Sequence, residues 1–174
     1  MYIFLIILVL IIIFIISIFN KLTRLKNNVN KSKSGIDVYL QERFDLIPNL
    51  IEITKNYAKY ESELITKITE LRASYVHNKN SDILNELNTY YNDMLLTIEN
   101  YPELKASEQF LKLQKSLVKV ESQLQAARRI YNNDVTKYNN ARTIFPNNII
   151  SFIFDFKEIP LFTLEGEKNV NVQF

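Results

Sequence analysis

Tyr2 to Phe19 reads YIFLIILVLIIIFIISIF, an unbroken apolar run in which Ser17 is the only strongly polar residue. An α-helix rises ~1.5 Å per residue, so about 20 residues cross a ~30 Å hydrocarbon core. The run just reaches that length, with Leu22 extending its apolar face. A secretory signal would carry a basic n-region, a shorter apolar core and a small-residue cleavage site. Here no Lys or Arg precedes the run, and Asn20, Lys21, Leu22, Thr23 and Arg24 follow it. The sequence therefore predicts an uncleaved anchor that contacts the lipid bilayer through residues 2–19. Without cysteine, acylation after cleavage is excluded. Lys21, Arg24, Lys26, Lys31 and Lys33 all lie C-terminal to the run. A single span is expected, and the positive-inside rule favours placing the C-terminal domain in the cytoplasm.

The other 154 or so residues suit one soluble domain. Two glycines and four prolines are too few for a β-sandwich or barrel, which needs a turn every ~8–12 residues. Absence of cysteine removes disulfide and thiolate-metal frameworks. The single histidine, His77, removes most zinc, haem and triad chemistry and reads as a solvated residue near a helix end. A net charge of +2, from 21 basic and 19 acidic residues, gives no field that points to nucleic acid. No cofactor is expected.

Helical periodicity dominates the rest. Leu22, Leu25, Val29, Ile36, Leu40 and Ile47 form a stripe that is free to continue the membrane helix. Pro48 interrupts it, and Asp45 is placed to cap a helix that carries Pro48 in its first turn. Leu50, Thr54, Tyr57, Glu61, Leu64, Ile68, Leu71 and Tyr75 alternate steps of four and three, a heptad seam of coiled-coil type. A polar loop at 77–82 follows, with Ser81 or Asp82 as cap. The next face is Ile83, Leu87, Tyr90, Tyr91, Met94 and Ile98. Tyr101-Pro102 ends that helix or opens the next. The last helix, about 104–142, carries Phe110, Leu113, Leu117, Val120, Leu124, Ala127, Tyr131, Val135 and Tyr138, and Phe145-Pro146 stops it. A short apolar helix and an extended tail complete the chain. The expected divisions are an anchor at 1–20, a helical domain at 21–145 and an apolar segment with tail at 146–174.

Four blocks support a family resemblance. They are Asp37 to Leu50 (DVYLQERFDLIPNL), Tyr101 to Ser107 (YPELKAS), Ala127 to Asn139 (ARRIYNNDVTKYN) and Phe145 to Ile150 (FPNNII). Their content and order resemble the bacterial LemA family over nearly the whole chain. The family's usual His-Glu pair is Tyr60-Glu61 here, and its usual Gly-Phe near the end is Asp155-Phe156. The resemblance implies an all-α protein, an N-terminal transmembrane helix followed by an antiparallel four-helix bundle. It implies no activity.

Several side chains are candidates for more than packing. Glu61 sits on the seam, where a carboxylate is costly unless paired. Arg43, Arg128 and Arg129 are available partners, so Glu61 reads as a buried contact that fixes register or as part of a polar pocket. Arg128 and Arg129 with Tyr131 and Asn132 form a weak anion-binding pattern, and ion pairing within the bundle is the simpler reading. Asp45 and Asn49 bracket Pro48, either as turn-forming Asx residues or as a partner contact at the bundle tip. The ten tyrosines read mainly as core residues with hydroxyls at the edge. In the apolar segment, Phe152, Phe154 and Phe156 are candidate membrane-surface contacts; packing back on the bundle as a lid is the alternative.

The functional expectation is a membrane-anchored, non-enzymatic interaction or scaffold module with a protein partner. An adaptor of a membrane protease or other envelope quality-control system is the second reading. A hydrolase or metal enzyme ranks last, because no nucleophile–base pair is visible. The sequence leaves the partner and the oligomeric state open.

Overall fold

The computed structural model describes residues 2–55, 62–78, 80–98 and 100–162. Among these residues all regular structure is helical. The elements are α1 (Tyr2–Asp45), α2 (Ile47–Lys55), α3 (Ser62–Asn78), α4 (Ser81–Ile98), α5 (Pro102–Ala106), α6 (Glu108–Thr143) and α7 (Asn147–Ile153). The expected all-α class is met.

α1 is one helix of 44 residues, about 65 Å long at 1.5 Å per residue. Its two parts have opposite surfaces. From Tyr2 to Phe14 every side chain is exposed, although all are apolar. From Ile18 onward a stripe of Leu22, Val29, Ile36, Leu40 and Phe44 is buried. The polar residues between them face outward. Its apolar N-terminal stretch is a candidate membrane span by length and composition. The stripe thus continues the apolar run without a break, and α1 ends where Pro48 withholds its donor. Leu46 closes a tighter turn onto the Arg43 carbonyl at 3.2 Å, and Leu50 resumes helical bonding to Leu46 at 3.1 Å.

The described residues fall into two compact units. One is built from 2–38 and 124–162, the other from 39–123. In the second unit, α3 and α4 pack together, and Lys67 pairs with Glu86 across them at 3.2 Å. Ile68, Leu71 and Tyr75 of α3 are buried, as are Leu50 and Thr54 of α2. Thr54 satisfies its hydroxyl within its own helix, on the carbonyls of Leu50 and Ile51 at 2.9 and 3.0 Å. Seam positions Tyr57 and Glu61 lie outside the described residues. The inward face of α4 is Leu84, Leu87, Tyr91, Met94 and Ile98, so Ile83 and Tyr90 sit at its margin.

Two caps differ from expectation. At the start of α4 the cap is Asn80, not Ser81 or Asp82: its Oδ1 accepts the Asp82 N–H at 2.8 Å, which satisfies an otherwise orphaned donor. The long last helix is divided, because Ser107 caps α6 by accepting the Phe110 N–H at 3.2 Å. This leaves α5 as a single short turn. Beyond it, every predicted apolar position of α6 from Phe110 to Tyr138 is buried.

α7 ends in a Schellman motif. The Phe156 N–H reaches the Ser151 carbonyl at 2.9 Å, and the Asp155 N–H reaches Phe152 at 3.4 Å. This closure holds Asp155 at φ 53°, the left-handed region that glycine enters freely and aspartate tolerates at a cost. A glycine at this place in the family pattern is explained by that geometry. Asp155→Gly should raise the melting temperature, with a gain of up to about 1 kcal/mol, and Asp155→Val should lower it by about 1–2 kcal/mol. Thermal denaturation followed by circular dichroism checks both signs, and the same sign for both variants would contradict the assignment.

Candidate functional site

The second unit gathers a polar cluster around Arg43, the penultimate position but one of α1. Its side chain is 9% exposed. A charge so buried needs partners. One guanidinium nitrogen donates to Asn88 Oδ1 at 3.1 Å and stands 3.6 Å from a Glu121 carboxylate oxygen. The guanidinium carbon lies 4.3 Å from the centre of the Tyr91 ring, a cation–π contact. The end of α1, α4 and α6 are thereby joined. Burial pushes the Tyr91 hydroxyl's pKa above its ordinary value, against the opposing pull of Arg43. Phe44 meets the Tyr75 ring edge-on at 5.3 Å.

Asp45 is not a helix cap. Its carboxylate accepts from Arg72 of α3 at 3.0 Å and from Gln41 at 2.9 Å. At 56% exposure for the carboxylate this pair orients helices more than it stabilises them. Asn49 is exposed on α2. Arg43, offered above as a partner for Glu61, is committed to Asn88, Glu121 and Tyr91, while Glu61 lies outside the described residues.

The first unit contains a more specialised arrangement. The chain after α7 runs extended along the C-terminal half of α6 and is read residue by residue. Asn139 donates its amide to the Ile159 carbonyl at 2.8 Å and accepts the Ile159 N–H at 3.1 Å. One heptad earlier, Asn132 does the same to Phe162, at 3.0 and 2.8 Å. An asparagine side chain offers a donor and an acceptor side by side, so each one mimics a strand edge for a single residue. The preceding tyrosines repeat the spacing. Tyr138 donates to the Lys157 carbonyl at 2.9 Å and Tyr131 to the Pro160 carbonyl at 3.2 Å. Burial raises the pKa of both phenols. Arg142 pairs with Glu158 at 3.1 Å, and Arg128 lies over the Phe162 ring at 5.0 Å.

The structure therefore brings Arg128, Tyr131 and Asn132 together, as the sequence suggested, but around a peptide segment. Arg129 points to solvent. The sequence reading placed Tyr138 in the core, as observed, but did not single out its hydroxyl bond, Asn139 or Arg142. Their signal is the Tyr-Asn pair repeated at 131–132 and 138–139, seven residues apart on one helical face. Phe156, expected at the membrane surface, is 8% exposed and closes the Schellman motif; burial of its ring explains the difference. No group of three His, Asp or Glu side chains stands together among the described residues. Chemically the α6 ladder is a device for holding an extended chain by its backbone.

The sequence model described as the LemA family matches residues 32–174. Protein LemA of Metamycoplasma hominis is 23% identical over 158 aligned residues, covering 88% of this chain and 72% of that protein. Magnetosome protein MamQ 2 of Paramagnetospirillum magneticum is 21% identical, over 83% of this chain and 64% of its own length. Magnetosome protein MamQ of Magnetospirillum gryphiswaldense is 20% identical with the same coverage. The chain thus spans a little less than two thirds of the MamQ relatives.

The ladder makes a local prediction. A net hydrogen bond is worth about 0.5–1.5 kcal/mol. Asn139→Ala should therefore speed hydrogen exchange at the Ile159 amide by about tenfold, with less effect at Phe162. Asn132→Ala should reverse that order. Amide exchange read by NMR checks this. Equal exchange in wild type and both variants would show that the asparagines do not hold the segment.

Proposed function

The chain belongs to the LemA family, and from that premise we propose that it is an anchored, non-catalytic interaction module of the bacterial cytoplasmic membrane. Tyr2–Phe19 is the anchor. Residues 21–145 fold as an antiparallel four-helix bundle that offers its surface to a protein partner. The observation that carries this reading is α1 itself: one helix unites a fully exposed apolar stretch with a buried stripe of the folded domain. An 18-residue apolar run on a surface is costly in water and favourable in hydrocarbon. Joining it rigidly to a helical domain holds that domain close to the bilayer. Lys21, Arg24 and Lys26 are exposed just beyond the run, where anionic headgroups attract them and favour the cytoplasmic side.

The polar residues that the sequence singled out support a non-catalytic role through what they do. Arg43, Asp45, Tyr131 and Asn132 are engaged in bonds that fix helices or hold the extended segment. The adaptor reading draws on the α6 ladder, which already holds an extended chain by its backbone, as a presenter of unfolded segments to a protease must.

A photo-cross-linker in place of Leu96, which is 61% exposed, tests the module reading in cells producing the full-length chain. The expected result is a discrete adduct with an integral membrane protein that disappears when residues 2–19 are deleted. Absence of adducts from Leu96 and from the equally exposed Val118 would contradict the reading.

A further inference from the structure

α7 turns apolar side chains outward and buries two of its polar ones. Its inward side, Ile150 and Ser151 with Asn147, is buried against the protein. Its outward side carries Ile149, Phe152 and Ile153, spaced by three and one, and continues to Phe145 one turn earlier. These residues are 49%, 89%, 63% and 74% exposed. A surface helix normally turns polar residues outward. Single exposed apolar side chains are ordinary, but a contiguous aromatic and aliphatic stripe marks a contact surface.

The position of the stripe identifies its occupant. Phe154, next along the chain, packs edge-on against Phe19 with ring centres 5.0 Å apart, and Phe156 does so at 5.6 Å. Phe19 is the last residue of the apolar run on α1. The C-terminal end of α7 is thus fastened to the point where the candidate span ends. Local charges are paired: Lys157 with Asp155 at 3.4 Å, and Arg142 with Glu158 at 3.1 Å. Aromatic and aliphatic side chains with charges alongside suit the boundary between headgroups and acyl chains.

We propose that the exposed stripe Phe145, Ile149, Phe152 and Ile153 is a second membrane contact, a monotopic segment that dips ~5–10 Å into the leaflet surrounding Phe19. α7 is too short to span a bilayer. Its insertion instead fixes the α6–α7 corner at the level of the interface, so that the domain is held at two points and cannot pivot freely on a single helix. The proposal rests on the reading of Tyr2–Phe19 as the anchor. It divides the aromatic segment between roles: Phe156 is core, Phe154 lies at the joint with Phe19, and Phe152 enters lipid.

The chain contains no tryptophan, so one introduced indole is a unique probe. The experiment uses the full chain in liposomes of phosphatidylcholine and phosphatidylglycerol, with lipids brominated either near the headgroup or near the chain ends. Leu10→Trp probes the middle of the apolar run, Phe152→Trp the stripe, and Val118→Trp an exposed site on α6. Phe152→Trp is expected to emit at shorter wavelength than Val118→Trp and to be quenched severalfold more by shallow than by deep bromines. Leu10→Trp should show the reverse depth preference. If Leu10→Trp is quenched and Phe152→Trp is not, the second contact is wrong while the anchor stands. Blue-shifted Phe152→Trp emission that neither lipid quenches would mean that a second protein copy covers the stripe, and also overturns the proposal. Failure of both probes to be quenched overturns the anchor and the stripe together.

Discussion

Residues 2–14 of α1 turn aliphatic and aromatic side chains to every side of the helix, and nothing in the described chain covers them. This constraint sets much else. The run from Tyr2 to Phe19 holds sixteen Ile, Leu, Val and Phe side chains. On an insertion scale of about 0.3–0.6 kcal/mol each, their transfer into hydrocarbon is favourable by on the order of 5–10 kcal/mol. That is comparable to the whole stability of a small domain. α1 passes from this run into the core stripe without a break, so the exposed apolar stretch and the folded domain share one helix.

The first unit shows how closely local structure is tied to that shared helix. Phe19 ends the apolar run and receives the rings of Phe154 and Phe156. Those rings can reach it because α7 stops in a Schellman motif with Asp155 in the left-handed region. The chain then runs extended, where Asn139 and Asn132 take over its backbone hydrogen bonds. Six such bonds from two asparagines and two tyrosines, at about 0.5–1.5 kcal/mol each, come close to offsetting the cost of ordering six residues at about 1–2 kcal/mol each. Ring burial at Phe156 tips the balance toward the held state. The segment is therefore held locally by a few specific groups, each of which is individually consequential.

Much of this was legible in the sequence. The stripes on α1 and α6 were read almost residue by residue, because burial of one helix face imposes a three-and-four spacing that survives any tertiary detail. The candidate span was legible for the same reason, as a run with no polar face at all. What escaped was set by choices among chemically similar neighbours. Asn80 rather than Ser81 or Asp82 caps α4, and of Tyr90 and Tyr91, both assigned to the apolar face, only Tyr91 is buried, since a shift of one residue leaves the pattern almost unchanged. Asp45 looked like a cap but is claimed by Arg72, twenty-seven residues away. The Asn132 and Asn139 ladder depends on a chain that returns from beyond α7, and polar residues seven apart look like an ordinary solvated face until that return is known. The aromatic segment was identified as a unit, but it divides at the Schellman turn, which buries Phe156 and leaves Phe152 exposed.

The central claim is that the apolar half of α1 lies in lipid and ends at Phe19. Absence of cysteine makes each introduced thiol unique, so a scan of single cysteines from Val9 to Lys26 tests the claim directly. The full chain is labelled with an impermeant maleimide in intact cells and in inverted membrane vesicles. The account predicts no labelling from Val9 to Ile18 in either preparation, then an abrupt rise between Asn20 and Arg24 in inverted vesicles alone. Labelling through Val9 to Ile18 that follows only the helical period would place α1 in water and contradict the claim.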